Sequence, residues 1–559
     1  MKRPLALVLA ALALAAPATA ATAAAPGPQG LDARFGVCGT LTPPVPRAFD
    51  LAAKRLARAP GGDIVVAGQG GFGHGSTIMQ DTFVLSRFSA DGQLDRSFSG
   101  DGVVTTTVPR PAKAQDANLT GLAVQPDGKI VVSGTVNLDN PNDGRAVLIR
   151  YNADGSLDPS FGSGGVVTNA LPARSARIEA IALAPDGTIV AAGTRNTATE
   201  QADPSDEKRQ LTVARFLPNG SLDPTFGSGG FTSVDSGFGA SEARAVRVLP
   251  DGRVLAAGQA GEQFALVRLT PAGTLDPTFG DSAGATYDSP RASAAISAFD
   301  LLPDGRIVAV GPASNVNGPR QLALGRYTAD GRPDATFGEG GFRIDRFASS
   351  PTAIAVALDG KLVVTGAATF GGFSGGGGGL LRYGADGTRD AGFGIGGALV
   401  GFSSFGLSAD DVLLQPDGTA LVAEQNGLDY SVARFAVDDP ALSATAAEPR
   451  ACSVRVTTKS LRILLRPGRG RPFGKLLLAF EKRQPGPVRL RAVAQVGSRT
   501  AVIGSVVRAG DEFAKDIAEI GVSRAAARLV RGAASARIVV TAAAAEGGPA
   551  TTGSRTLRR

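Results

Sequence analysis

The amino-acid sequence predicts an all-β protein, a seven-bladed β-propeller followed by a small antiparallel β-sandwich. Two observations predict the propeller: three short signatures each recur seven times in a fixed order over residues 31–440, and each unit contains strand-length apolar runs separated by turn residues. Alternating apolar runs within residues 454–559 predict the sandwich. A β-solenoid is the alternative for the repeats, although its coils are shorter than these units.

The first signature is Leu-Asp-x-x-Phe-Gly, as in LDPSFG at 157. The second is a Pro-Asp-Gly turn followed by an apolar run and Gly, as in PDGKIVVSG at 126, and the third is apolar-Arg-aromatic, as in IRY at 149. Each unit of about 52 to 65 residues is predicted to form four strands, the first after the Phe-Gly turn. Seven such units fit the usual range of propeller blades.

These residues resemble the delta-60 repeat family of bacterial exported and surface proteins. The resemblance rests on LDPSFG, PDGKIVVSG and LIRYNADGSLD and covers about residues 31–439. It implies a propeller-like repeat region and implies no activity, because the family has no agreed biochemical function. Units one and seven depart most from the pattern, and we expect them to meet where the ring closes.

One Arg and one Asp recur in every unit. A functional interpretation places them in rings of charge around a channel, whereas a structural one makes them pairs between blades or within turns, since Arg suits forked contact with carboxylate. Their presence in all copies favours structural pairs, and the recurring Phe is predicted to fill the core between blades. The residues are Arg87, Arg150, Arg215, Arg268, Arg326, Arg382 and Arg434, with Asp32, Asp95, Asp158, Asp223, Asp276, Asp334 and Asp390.

Composition restricts the chemistry. The chain of 559 residues has one His and two Cys, which excludes a His-rich metal centre, a zinc finger and a disulfide-dense scaffold. The turn at 152–158 alternates oxygen-bearing side chains as calcium loops do, but Arg150 stands where an EF-hand-type loop has an acid, so an Asx-type turn is favoured and calcium is the alternative. We therefore predict no catalytic, cofactor-binding or metal-binding residues, although paired carboxylates remain open.

The N-terminal segment is predicted to direct export. Lys2 and Arg3 precede an apolar run over 5–16, and Ala-Thr-Ala at 18–20 suits cleavage, so residues 1–25 have the features of a signal peptide. Its apolar core is shorter than a membrane span. We expect a secreted or cell-surface protein with no transmembrane anchor after cleavage.

Charge separates an acidic body from a basic tail. Residues 441–559 carry 22 basic and 7 acidic side chains, a net charge of +15, whereas residues 1–440 carry 35 and 43, a net charge of −8. Residues 441–453 are predicted to be a linker, and 454–559 are similar to Ig-like sandwich modules of exported actinobacterial proteins in SRAAARLVRG and ARIVVTAAAAEGG. An anionic cell-wall polymer is the expected partner of the tail, and nucleic acid is not expected. Docking on the acidic body and a solvated basic face are the alternatives.

The two cysteines flank the repeats. Cys38 lies near the start of the predicted ring and Cys452 just after its end, so a disulfide that staples the closure is predicted, with two free buried thiols as the alternative.

Loops of uneven length supply the predicted binding face. The loops near 69–82, 194–210 and 367–379 share the face opposite the uniform turns, and such variation is typical of a site presented by a regular scaffold, or of drift at unconstrained loops. The sequence thus predicts an exported, non-enzymatic binding or scaffold protein with a protein or glycan ligand on these loops. A propeller enzyme of glycoside hydrolase or lyase type and a purely structural spacer are the alternatives.

Overall fold

The computed structural model describes a seven-bladed β-propeller and a group of C-terminal strands. Its secondary structure within the described residues consists of strands, and none of those residues forms a helix long and apolar enough to cross a membrane. The described residues are 32, 35–36, 40–41, 49–72, 79–108, 114–138, 144–173, 175–196, 208–346, 348–368, 377–394, 396–400, 409–426, 429–437, 455–464, 475–481, 488–496, 499–508, 515–521, 535–544 and 551–558.

The first strand and the first three blades follow one another along the chain, each blade an antiparallel sheet in chain order. The strands are β1 (Thr40–Leu41), β2 (Phe49–Arg58), β3 (Ile64–Phe72), β4 (Met79–Phe88), β5 (Val103–Thr107), β6 (Ala114–Val124), β7 (Ile130–Leu138), β8 (Gly144–Tyr151), β9 (Val166–Thr168), β10 (Ala176–Leu183), β11 (Ile189–Asn196), β12 (Arg209–Phe216) and β13 (Phe231–Val234). Blade one is β2 to β5, blade two β6 to β9 and blade three β10 to β13.

The remaining four blades repeat this arrangement. Their strands are β14 (Ser241–Val248), β15 (Val254–Ala260), β16 (Gln263–Leu269), β17 (Ala285–Asp288), β18 (Ser293–Ala294), β19 (Ala298–Leu301), β20 (Ile307–Ser314), β21 (Gln321–Tyr327), β22 (Phe342–Asp345), β23 (Ala348–Val356), β24 (Leu362–Ala368), β25 (Gly377–Tyr383), β26 (Ala398–Val400), β27 (Ala409–Leu414), β28 (Thr419–Asn426) and β29 (Asp429–Ala436). In blade five the inner strand is interrupted, so β18 and β19 both pair with β20.

The N-terminal strand closes the ring. Thr40 and Leu41 of β1 pair with Ala433 and Val432 of β29 and form the outer strand of blade seven. The sequence units are therefore offset from the blades. The strand after each Phe-Gly turn is the outer strand of the preceding blade, so the prediction that it is the first strand of its own blade is wrong. The prediction that units one and seven meet at the closure is confirmed.

The core lies between neighbouring blades, because one face of each sheet packs on the preceding blade and the other face on the following blade. Phe161 and Phe226 are fully buried, as is the equivalent Phe of the other units. A methyl group on Gly220, whose φ is +86°, would meet the ring of Phe161 from the neighbouring blade. Glycine in this turn thus provides both the positive φ and the space for the aromatic plug.

Seven further strands lie in the C-terminal region. One sheet has the order β30, β31, β34 and the other the order β33, β32, β35, β36. Their bounds are β30 (Arg455–Leu464), β31 (Lys475–Glu481), β32 (Val488–Val496), β33 (Arg499–Arg508), β34 (Lys515–Gly521), β35 (Ser535–Ala544) and β36 (Thr551–Arg558). All pairs in both sheets are antiparallel.

Candidate functional site

The recurring Arg and Asp meet in pairs at the blade junctions. In each pair the Arg Nε lies 2.6–2.9 Å from an Asp oxygen, or an Nη does so in the closing pair of Arg434 and Asp32. Each guanidinium also lies 4.5–4.9 Å from the centre of a buried Phe ring. We call each such Arg, Asp and Phe a junction cluster.

Each junction cluster also joins two blades. Nη1 of Arg268 in blade four donates to the carbonyl of Ala329 in blade five at 2.8 Å, and Arg326 donates to Ala385 in the next blade at 2.7 Å. At the closure, Arg434 donates to the carbonyl of Ala90 in blade one at 3.1 Å. These Arg residues are occupied by contacts within the scaffold and do not line the channel cavity described below.

Five junction-cluster carboxyls have a lowered pKa, and these belong to Asp95, Asp158, Asp223, Asp276 and Asp334. The Thr336 hydroxyl and backbone N–H, Arg306 and Arg326 together outweigh burial and lower the pKa of Asp334 to about 2. In the turn that suggested calcium, Asp158 contacts Arg150, Lys129 and Ser160, while Asp154 accepts from Ser156. No group of three or more acidic, His or Cys side chains suited to a metal occurs among the residues described.

Several predicted features lie outside the described residues. They are Cys38, Cys452, the signal peptide, the linker and most of the variable loops, so the predicted disulfide and loop site stay predictions.

A β-bulge interrupts the inner strand of every blade at the same place. In β10 the register shifts between Ile178 and Ala180, which leaves Glu179 as the extra residue, and β14 leaves Arg244 in the same way. Blade five has Ser297 between its two short inner strands. The seven residues, which we call the bulge ring, are Lys54, Thr120, Glu179, Arg244, Ser297, Thr352 and Asp410.

The Gly of the second signature makes this bulge possible. Gly258 faces Ala243 across the sheet, and a Cβ on Gly258 would overlap the carbonyl oxygen of Glu242. Gly193 has the same relation to Arg177 in blade three. In six of the seven blades the bulge brings the inner backbone so close that a side chain at the glycine position would overlap it.

All seven bulge-ring residues line one central cavity of about 500 Å³. Arg55, Gln69, Asn118 and Glu242 are among the other lining residues. Because neighbouring strands within a blade are antiparallel, the inner strands begin on the face that carries the variable loops. Asn118 and Glu242 precede the bulge in their strands and therefore lie on that side of the ring. The cavity is therefore the central channel, lined by polar groups of every blade.

Most polar groups of the bulge ring contact one another or the backbone. Lys54 Nζ lies 2.9 Å from Asp410, Arg244 Nε donates to Glu242 at 2.6 Å, and the Thr120 hydroxyl donates to the carbonyl of Ile178 at 2.6 Å. Among the described residues, the side chains of Glu179 and Ser297 form no hydrogen bond or ion pair. Burial, with a contribution from the Glu242 charge, raises the pKa of Glu179 against the opposing charges of Arg177, Arg55 and Arg244.

Blade seven departs from the glycine rule. Glu424 stands where the other blades have the glycine beside the bulge and pairs with Ala409. Its side chain is 4% exposed, and its Oε1 has no partner among the described residues. Burial raises the pKa of Glu424 to about 8, despite a hydrogen bond from Ser431.

Sequence reasoning missed the bulge ring because its residue types differ from blade to blade. The available signal was positional: each ring residue lies at one place in the run before the Pro-Asp-Gly turn, opposite the signature Gly.

Comparison with known families supports a propeller repeat. The family described as "Domain of unknown function (DUF5122) beta-propeller" matches residues 125–161, 184–226, 249–279, 302–337 and 358–393. These segments fall on the repeats and cover less than half of the chain. No curated protein matches the chain.

Several solved structures match the chain at low sequence identity and low TM-score. A protein of unknown function from Dyadobacter fermentans is 11% identical, with a TM-score of 0.38, 71% of this chain covered and 98% of that one. A glucose dehydrogenase is 13% identical, with a TM-score of 0.34, and the match covers 56% of this chain and 95% of that one. The β-propeller domain of the Trilobed protease from Pyrococcus furiosus is 12% identical, with a TM-score of 0.31, and the match covers 66% of this chain and 91% of that one. At these TM-scores the likenesses support no assignment of activity.

Proposed function

We propose that the chain is an exported, non-enzymatic binding or scaffold protein that binds its ligand on the face where the channel and the variable loops meet. The observation that carries the proposal is the contrast between junction clusters and bulge ring. The repeated charges are occupied in blade junctions, whereas the residues that break the sevenfold repeat gather around one polar cavity. Groups that differ between repeats and face a cavity are those able to recognise an asymmetric ligand.

The proposal includes the C-terminal region as an envelope-associating module. Its net charge of +15 suits anionic cell-wall polymer, and its two antiparallel sheets suit the predicted Ig-like sandwich. The delta-60 resemblance and the predicted signal peptide support the proposed secreted or cell-surface location. A protein or glycan remains the proposed ligand of the loop face.

Co-sedimentation of the full chain with Gram-positive cell walls across a salt series tests this proposal. The matched variant replaces Arg466, Arg469 and Arg471 of the tail with Gln. We expect wild-type binding to weaken as salt rises, because salt screens the attraction between opposite charges. The variant, with three fewer positive charges, should bind more weakly at low salt. A salt-independent fraction retained by the variant would report binding by the propeller. Absence of wild-type binding at every salt concentration would overturn the envelope role.

A propeller enzyme is the second candidate, favoured by one observation. Glu179 and Glu242 line the same cavity, and the Glu242 charge contributes to the raised pKa of Glu179. A carboxyl with a raised pKa near a second carboxyl is the kind of pair that a glycosidase requires. Hydrolysis of a cell-wall or storage polysaccharide by wild type, lost in both Glu179→Gln and Glu242→Gln, would establish this candidate. A spacer, the third hypothesis, requires no cavity and is less well supported.

A further inference from the structure

The charges that line the channel are not equally satisfied. Lys54 pairs with Asp410, and Arg244 pairs with Glu242. Glu179 is the one carboxylate of the lining without a hydrogen bond or ion pair within the described residues, although it is only partly accessible from the channel. A partly desolvated carboxylate with no partner is costly, and a cationic ligand group would remove that cost.

Hydroxyl and amide groups share the cavity with Glu179. Ser297 lies two blades further along, and its hydroxyl has no partner among the described residues. Asn118, in the preceding blade, accepts from Gln69 at 3.2 Å through its Oδ1 and keeps its amide hydrogens available. These groups suit the hydroxyl groups of a ligand, and a cavity of about 500 Å³ is in the range of small-molecule sites.

We propose that the channel binds a small hydroxylated amine, with its protonated amino group on Glu179 and its hydroxyl groups on Ser297 and Asn118. This inference rests on the proposed binding function and names the ligand chemistry of the same cavity. A ligand with a carboxylate is the competing possibility, because Arg55 also lines the cavity. Its guanidinium donates one hydrogen bond, to the Lys54 carbonyl at 2.8 Å. Because both acidic and basic side chains line the cavity, the test varies the charge of the ligand.

The test is a titration of the full chain by calorimetry with three sugars that share one ring and differ in charge. Glucosamine carries the amine, glucose is neutral and glucuronate is an anion. We expect glucosamine to bind at least about tenfold more tightly than glucose, since a charge-assisted hydrogen bond accounts for such a factor, and glucuronate to bind most weakly. Tighter binding of glucuronate, or equal binding of all three, would overturn the proposal.

Two variants locate the site. Glu179→Gln keeps the shape and removes the charge, and we expect it to weaken glucosamine binding at least about tenfold. Glu339→Gln removes the same charge from an exposed turn outside the cavity and should leave binding unchanged. Unchanged binding in Glu179→Gln would overturn the assignment of Glu179, and the sugar series on wild type stands even if this variant fails to fold. If no sugar binds while cell walls still do, only this inference fails.

Discussion

The junction clusters and the bulge ring occupy the same seven blades and follow opposite rules. The junction clusters use Arg, Asp and Phe in all seven copies, with nearly the same distances each time. The bulge ring uses six residue types in seven positions. A contact that every blade needs is repeated, whereas a surface that meets an asymmetric ligand has no reason to repeat.

Breaking a junction cluster should have the largest effect on stability. Arg268 and Asp276 are each 5% exposed, and Arg268→Ala leaves the Asp276 carboxylate without its buried partner. We expect a loss of about 3–5 kcal/mol in the free energy of unfolding, measured by urea denaturation. Arg332→Ala is the matched control, because Arg332 pairs with Asp281 at the exposed surface and should cost within about 0.5 kcal/mol. Equal losses in the two variants would contradict the structural role of the cluster.

Replacing the glycine beside the bulge should have the second-largest effect on stability. Gly258→Ala places a methyl group on the Glu242 carbonyl, so the sheet must shift, and we expect a loss of about 1–3 kcal/mol. Gly318→Ala is the control, since its Cβ would lie 3.3 Å from its nearest neighbour, in Asn315. Thermal unfolding of both variants checks this, and an unperturbed Gly258→Ala would show that the bulge of blade four does not need glycine.

Glu424 should make stability depend on pH. Its pKa is about 8 in the folded protein against 4.5 as the ordinary value, so folding favours its protonated form. Stability contributed by proton binding is complete below about pH 4.5 and is lost as pH rises through 8, by at most about 1.4 kcal/mol per pH unit. Glu424→Gln should abolish this loss, measured as urea midpoints between pH 5 and 9. Glu339→Gln, an exposed change of the same charge, should retain the wild-type slope.

Changing the bulge ring itself should have the smallest effect on stability. Lys54 and Asp410 form a partly exposed pair, and replacing both with Thr gives them a residue that blades two and six already use. We expect a change below about 1 kcal/mol in the free energy of unfolding. A loss as large as that of Arg268→Ala would mean that the ring is part of the scaffold, and the comparison between the two regions would fail.

The sequence was sufficient for the number of blades because turn and strand signatures must recur wherever the same blade is built. Glycines such as Gly193 and Gly258 were visible as part of a signature. The reason for glycine there was not visible, because it is the close approach of a carbonyl group on a neighbouring strand. Glu179 could not be distinguished from other acids, since its importance depends on seven inner strands meeting at one axis. The strand offset was missed because spacing along the chain does not say which of two sheets a strand joins.

Closure by the N-terminal strand determines the order in which the molecule assembles. The first strand pairs with a partner nearly four hundred residues away, so this contact closes the longest loop in the propeller and must await the completed seventh blade. Until then the edge of β29 is open to any chain that offers the same segment. At high concentration, the N-terminal strand of one copy can complete the last blade of another, so we expect domain-swapped dimers when this topology misassembles.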